Sequence, residues 1–73
     1  MSESLRDLRK ASEKTLAEVA KALHVTIQTV CRYENGKRRL NIDQVIPLAR
    51  LYHVSAEDII VAQAISEAVG KSE

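Results

Sequence analysis

Helix-start signals recur along this 73-residue chain, and they constrain its fold more than any other feature of the sequence. Capping boxes pair Thr15 with Glu18, Asn41 with Gln44, and Ser55 with Asp58. In such a box, each side chain accepts a hydrogen bond from the other residue's free backbone N–H at a helix start. Ser4 and Thr26 are two further capping residues. The chain is therefore predicted to form five short helices.

Apolar residues follow these signals with helical periodicity, whereas the alternation typical of strands is almost absent. We predict an all-α fold in one domain over residues 1–73, with helices at about 4–11, 16–23, 27–34, 42–52 and 56–69. Residues 70–73 are predicted to be a frayed tail. The fourth helix is predicted to bury Ile42 together with Val45, Leu48, Ala49 and Tyr52.

The stretch from Thr26 to Arg39 predicts a polar-faced helix followed by a basic turn. Ile27, Val30 and Tyr33 are expected to face the core, and Gln28, Thr29, Cys31 and Arg32 to face outward. Gly36 after Asn35 ends the helix, and Lys37, Arg38 and Arg39 follow. Only a short turn separates this helix from the preceding one, which predicts a helix-turn-helix. Such a helix suits the major groove of DNA, where side chains contact base edges while Lys and Arg hold the backbone.

Charge is distributed unevenly between the two parts of the chain. Up to Arg39 there are nine basic and five acidic side chains, a net charge of +4, whereas the remainder has two basic and five acidic side chains, a net charge of −3. This asymmetry indicates that the basic part of the chain binds a polyanion.

Several other functional classes lack the residues that they need. Cys31 is the single cysteine, and His24 and His53 stand far apart, so neither a metal site nor a cofactor is predicted. No nucleophile, base and pocket assemble, so no enzyme is predicted. No signal peptide or membrane-spanning run is visible, which predicts a cytoplasmic protein without membrane contact.

The fifth helix has more apolar surface than one face can hide in so small a domain. A homodimer interface is predicted there, at Ile59, Ile60, Ala62, Ile65 and Val69.

The chain resembles the Cro/repressor-like helix-turn-helix transcription regulators, often called the XRE family. The resemblance covers roughly Leu5 to Ile60 and is carried by Thr15-Leu16-Ala17-Glu18-Val19-Ala20, Leu23-His24-Val25-Thr26, Arg32-Tyr33-Glu34-Asn35-Gly36-Lys37-Arg38 and Tyr52-His53-Val54-Ser55. It implies a five-helix lambda-repressor-like DNA-binding domain and a buried ion pair between Arg9 and Glu34. Leu16 stands where the family commonly has a phosphate-contacting glutamine, and Ile27 either packs against Leu16 or contacts a thymine methyl.

These observations predict two sets of contacts to double-stranded DNA. Base contacts are predicted for Ile27, Gln28, Thr29 and Arg32. Phosphate contacts are predicted for Thr15, Thr26, Asn35, Lys37, Arg38 and Arg39. The expected function is a sequence-specific transcription regulator, a repressor acting as a homodimer on an inverted-repeat operator. The alternative is a protein-interaction module of the same fold, an antitoxin or antirepressor component that binds a protein partner through the last helix.

Overall fold

The computed structural model describes residues 3–71, and side chains as far as Val69. Within this range the chain forms five α-helices and no strand: α1 Leu5–Ala11, α2 Leu16–Leu23, α3 Ile27–Glu34, α4 Ile42–Tyr52 and α5 Ala56–Lys71. The first helix begins one residue later than predicted, because Ser4 is its extended N-cap. The fifth ends two residues later than predicted, at Lys71. The last two residues of the predicted tail lie outside the described range.

Reciprocal capping boxes form at three of the five helix starts. The Ser4 and Thr15 hydroxyls accept backbone N–H groups of Asp7 and Glu18 at 3.2 and 3.1 Å, and each carboxylate accepts the N–H of its cap at 3.1 and 3.0 Å. Ser55 and Asp58 form the same box.

The predicted pair at the start of α4 forms only in part. The Oε1 of Gln44 accepts the Asn41 N–H at 2.9 Å, but the Asn41 side chain makes no capping hydrogen bond. The same oxygen accepts the Tyr33 hydroxyl at 3.1 Å, so this cap also ties α4 to the end of α3.

Acid should weaken the two caps at the starts of α1 and α2. Hydrogen bonds, first from the backbone and then from the side chain of Ser4 or Thr15, hold the pKa of Asp7 below its ordinary 3.8 and the pKa of Glu18 below its ordinary 4.5. A folded-state pKa that is depressed contributes stability above the unfolded value, and this stability is lost as pH falls through the folded value. We therefore expect the melting temperature, followed by circular dichroism, to fall as pH drops below 4.5. The double variant Asp7→Asn, Glu18→Gln should lose less stability than the native chain over that interval; an equal loss in both proteins would contradict the prediction.

The core lies between all five helices. Leu5, Val19, Val30 and Ile59 are its most deeply buried aliphatic side chains, and α5 packs against α1, α3 and α4. Leu16 and Val25 pack at its edge. Within the helix-turn-helix, α3 is therefore supported from behind by α1 and α5, whereas α2 packs against α4. No helix within residues 3–71 is long and apolar enough to cross a membrane.

Two of the predicted interface residues on α5 belong to this core instead. Ile59 is 0% and Ala62 is 1% exposed, so neither side chain can contact a second molecule without unfolding the helix from its own domain. Ile65 is half-buried, whereas Ile60 and Val69 are more than half exposed. The prediction was wrong for the first two because they lie on the face of α5 that packs into the core formed with α1, α3 and α4.

Ile42 also departs from its prediction. It is 72% exposed, although it is the first residue of α4 and the helical period places it on the same face as Val45 and Ala49, which are buried.

Candidate nucleic-acid interface

The connection between α2 and α3 is a short turn that is closed by backbone hydrogen bonds. His24 takes the left-handed conformation with φ of 58°, and the backbone N–H groups of His24 and Val25 bond back to the carbonyls of Lys21 and Ala20. Thr26 then caps α3, with its hydroxyl accepting the Thr29 N–H at 3.2 Å. Because three residues join the two helices, α3 must leave α2 steeply.

One face of α3 is open to solvent. Val30 and Tyr33 are buried, at 2% and 3% exposure, and fix the opposite face. Gln28 and Arg32 are exposed, as predicted for side chains that contact DNA bases. Ile27 is 48% exposed and thus lies on the open face, whereas it was expected to face the core.

Thr29 lies at the edge of this face. Its side chain is half-buried, and its hydroxyl is 2.9 Å from that of Thr26. The open face is therefore formed chiefly by Ile27, Gln28 and Arg32. The base contacts predicted for these side chains and for Thr29 remain predictions.

Both predicted phosphate-contacting threonines are engaged in capping their own helices. The oxygen of Thr15 accepts the Glu18 N–H, and that of Thr26 accepts the Thr29 N–H. Both residues are exposed, and the N–H groups of each first turn that have no intrahelical carbonyl partner remain donors for an anion.

The basic loop, residues 37–39, follows α3 at once. Asn35 is the exposed C-cap, Gly36 has a φ of +74°, and the Lys37 N–H closes the helix end on the carbonyl of Arg32 at 2.9 Å. Lys37, Arg38 and Arg39 are all exposed. Among the described residues, Lys37 and Arg38 form no ion pair, whereas Arg39 lies 3.1 Å from Glu67. Two unpaired cations thus stand directly beyond the end of α3.

An ion pair behind α3 fixes the orientation of the helix. Arg9 donates from Nε to Glu34 Oε2 at 2.7 Å and from Nη2 to Oε1 at 3.3 Å, with side-chain exposures of 13% and 8%. Its Nη1 also donates to the carbonyl of Lys14 at 3.1 Å. The hydrogen bond to Glu34 raises the pKa of Arg9 further above its ordinary value. One guanidinium thereby joins α1, the residue before the α2 cap and the last residue of α3.

Three residues of α5, Gln63, Ser66 and Glu67, shape this region and were not identified from the sequence. They are named here the α5 cradle. Gln63 Oε1 accepts the Leu40 N–H at 2.6 Å, Ser66 Oγ accepts the Leu5 N–H at 3.1 Å, and Glu67 lies beside Arg39. Their polar positions within an otherwise apolar helix were the available signal, because buried polar side chains need hydrogen-bond partners.

Two short helices cross at a tight turn, and the second presents an open face to solvent. This arrangement defines the helix-turn-helix class of DNA-binding domains, and comparison with known sequences identifies the same class. The chain belongs to the helix-turn-helix domain family, whose model matches residues 1–59. It is 34% identical over 56 residues to the uncharacterized HTH-type transcriptional regulator YobD of Bacillus subtilis strain 168. The aligned segment covers 77% of this chain and 50% of that relative, so the chain spans about half the relative's length. No solved structure matches the chain at a significant level.

Proposed function

We propose that this protein is a sequence-specific DNA-binding transcription regulator. The observation that carries the proposal is the open face of α3, with Gln28 and Arg32, followed after two intervening residues beyond the helix end by the exposed cations Lys37 and Arg38, which form no ion pair among the described residues. Amide and guanidinium groups suit the edges of adenine and guanine, and exposed cations suit backbone phosphates. The Arg9–Glu34 pair ties the end of α3, between these two groups, to α1.

Ile27 is assigned to the same surface. Because it is 48% exposed and precedes Gln28, its side chain is suited to a thymine methyl group. Leu16 packs against the core instead, and its side chain has no hydrogen-bonding group for a phosphate. The phosphate contacts at the start of α2 then depend on backbone N–H groups and on Thr15.

A homodimer acting on an inverted repeat completes the proposal. The outer face of α5 exposes Ile60 at 53% and Val61 at 44%, with Ile65 half-buried beside them. Apolar exposure of this kind on a small domain favours an interface between copies. Two α3 helices related by a two-fold axis would enter successive major grooves about 34 Å apart. Occupying a promoter in this way would repress it.

The experiment compares Arg32→Ala with Arg38→Ala on a duplex selected from random DNA and on a mixed-sequence duplex. Arg32→Ala should lose about 1–3 kcal/mol of binding free energy on the selected duplex and much less on the mixed one, because the lost contact is to a base. Arg38→Ala should weaken both duplexes alike and flatten the slope of log affinity against log salt by about 0.9, the contribution of one phosphate. Fluorescence anisotropy over a salt series measures both quantities.

Two results would count against the proposal. Binding that does not depend on salt would show that the protein does not contact phosphates. Equal losses of affinity for the two variants on both duplexes would show that Arg32 and Arg38 do not divide into a base contact and a backbone contact. Sedimentation of the protein with and without the duplex gives the stoichiometry. A 1:1 complex on the selected duplex would contradict the dimer.

A further inference from the structure

The basic loop is attached to α5 at both ends. At one end, Gly36 lies so close to α5 that a Cβ there would be 2.5 Å from Glu67 Cα and from the Ser66 carbonyl oxygen. At the other end, the Leu40 N–H is buried and bonded to Gln63. The basic loop is therefore anchored to the α5 cradle at Gly36 and at Leu40, and the three basic residues between these anchors are exposed.

In the pair of Glu67 and Arg39, a buried carboxylate oxygen lies beside an exposed guanidinium. Its Oε1 is buried and has no hydrogen-bond partner among the described residues, while Arg39 Nε lies 3.1 Å away. The contact is thus an ion pair without an aligned hydrogen bond. A buried carboxylate oxygen without a donor is unfavourable, so Arg39 is the group that compensates it. The Glu67 side chain is 23% exposed, whereas that of Arg39 is 76% exposed.

Of the guanidinium nitrogens of Arg39, Nε is the one that lies within ion-pair distance of Glu67, without an aligned N–H. Glu67 faces Nε, and no described residue pairs with Nη1 or Nη2. A guanidinium can contact a carboxylate on one edge and a phosphate on another, because its five N–H donors lie in a fixed plane. The ammonium of a lysine has no separate edge that could do the same.

We propose that Glu67 is a positioning residue for Arg39, attracting its guanidinium at Nε so that Nη1 and Nη2 meet a DNA backbone phosphate. This inference rests on the proposed DNA-binding function and extends the DNA-binding unit from α2 and α3 to α5. An acidic residue thereby assists the binding of a polyanion. Restraining one long side chain in advance saves about 0.5–1.5 kcal/mol on binding, a change of about two- to tenfold in affinity.

The sign of the effect separates positioning from simple electrostatics. Glu67→Ala removes a negative charge near the proposed phosphate site, so electrostatics alone predicts tighter binding to DNA. Positioning predicts that the same variant binds a mixed-sequence duplex about two- to tenfold more weakly. Glu67→Gln should recover most of the affinity, because its amide oxygen can still contact the guanidinium of Arg39.

Two controls accompany these variants. Glu57→Ala removes the same charge from an exposed position on the same helix, and it should not weaken binding. Arg39→Lys keeps the loop charge and leaves α5 unaltered; it should nevertheless lose about two- to tenfold, since an ammonium cannot bridge both partners. Urea unfolding establishes that each variant is folded at the temperature of the titration. If Glu67→Ala is not folded there, the affinity of Arg39→Lys is the test of the proposal.

The inference is overturned if Glu67→Ala binds as tightly as the native protein or more tightly, or if Arg39→Lys binds like the native protein. Salt-dependent binding that Arg38→Ala weakens, with no loss in Glu67→Ala, would leave the proposed function intact and remove only the role of Glu67. Salt-independent binding by the native protein would contradict both the proposed function and the role of Glu67.

Discussion

Replacing Glu34 with alanine is expected to lower the free energy of unfolding by about 3–5 kcal/mol, the usual effect of leaving a buried charge without its partner. The guanidinium of Arg9 would keep its hydrogen bond to the Lys14 carbonyl but lose both bonds to Glu34. With an exposure of 13%, its side chain cannot regain full hydration without leaving its site between α1 and α3. Domains of this kind are stable by only about 5–15 kcal/mol, so the variant should be marginally folded. Urea unfolding followed by circular dichroism measures the change.

Two further variants test whether the loss comes from the unpaired charge. Glu57→Ala, at an exposed carboxylate, should change the free energy of unfolding by no more than about 0.5 kcal/mol. Combining Arg9→Met with Glu34→Leu should recover much of the stability, because no buried charge is then left alone. A loss below about 1 kcal/mol in Glu34→Ala, the range of surface ion pairs, would contradict the buried character of this contact.

Replacing Gly36 with alanine is expected to lower the free energy of unfolding by more than about 2 kcal/mol, since a strained backbone and an overpacked contact each cost about 1–3 kcal/mol. The φ of Gly36 is +74°, and its added Cβ would meet the Ser66 carbonyl oxygen and Glu67 Cα, both at 2.5 Å. These are backbone atoms of a helix, so they cannot yield as a flexible side chain would. Either α5 must shift from the loop or the loop must change its path. Thermal and urea unfolding measure the loss.

Gly36→Asn separates the two causes. Asparagine tolerates the left-handed conformation better than most residues, but it brings the same Cβ. If the approach to α5 is the main cause, Gly36→Asn should be destabilised about as much as Gly36→Ala. A variant with asparagine that is nearly as stable as the native protein would show that the backbone conformation alone accounts for the effect. The matched surface control is Asn35→Ala, next to the glycine, where φ is −89°.

Local signals were sufficient to predict where the helices begin. A capping residue satisfies donors within its own first turn, so Ser4, Thr15 and Thr26 can be identified without any knowledge of the rest of the chain. The resemblance to known regulators implied the pair of Arg9 and Glu34, which are separated by 25 positions and which the structure places in contact.

Burial on α5 could not be predicted in the same way. Ile59 and Ile60 are adjacent and chemically identical, yet one is 0% and the other 53% exposed. Composition does not distinguish them, because the buried face depends on where α1, α3 and α4 meet the helix. The same limitation applies to Ile42, which is 72% exposed although its position in the helical period groups it with the buried Val45 and Ala49.

The sequence by itself determined the helix starts, the tight turn before α3 and the basic residues that follow it, because capping, periodicity and charge depend on residues within one or two helical turns. The tertiary structure decided which side of α5 is buried and how the basic loop is held. Gln63, Ser66 and Glu67 meet Leu40, Leu5 and Arg39 across at least 23 positions of chain. Contacts over such separations arise only when the helices pack together, since no local hydrogen bond or period specifies them.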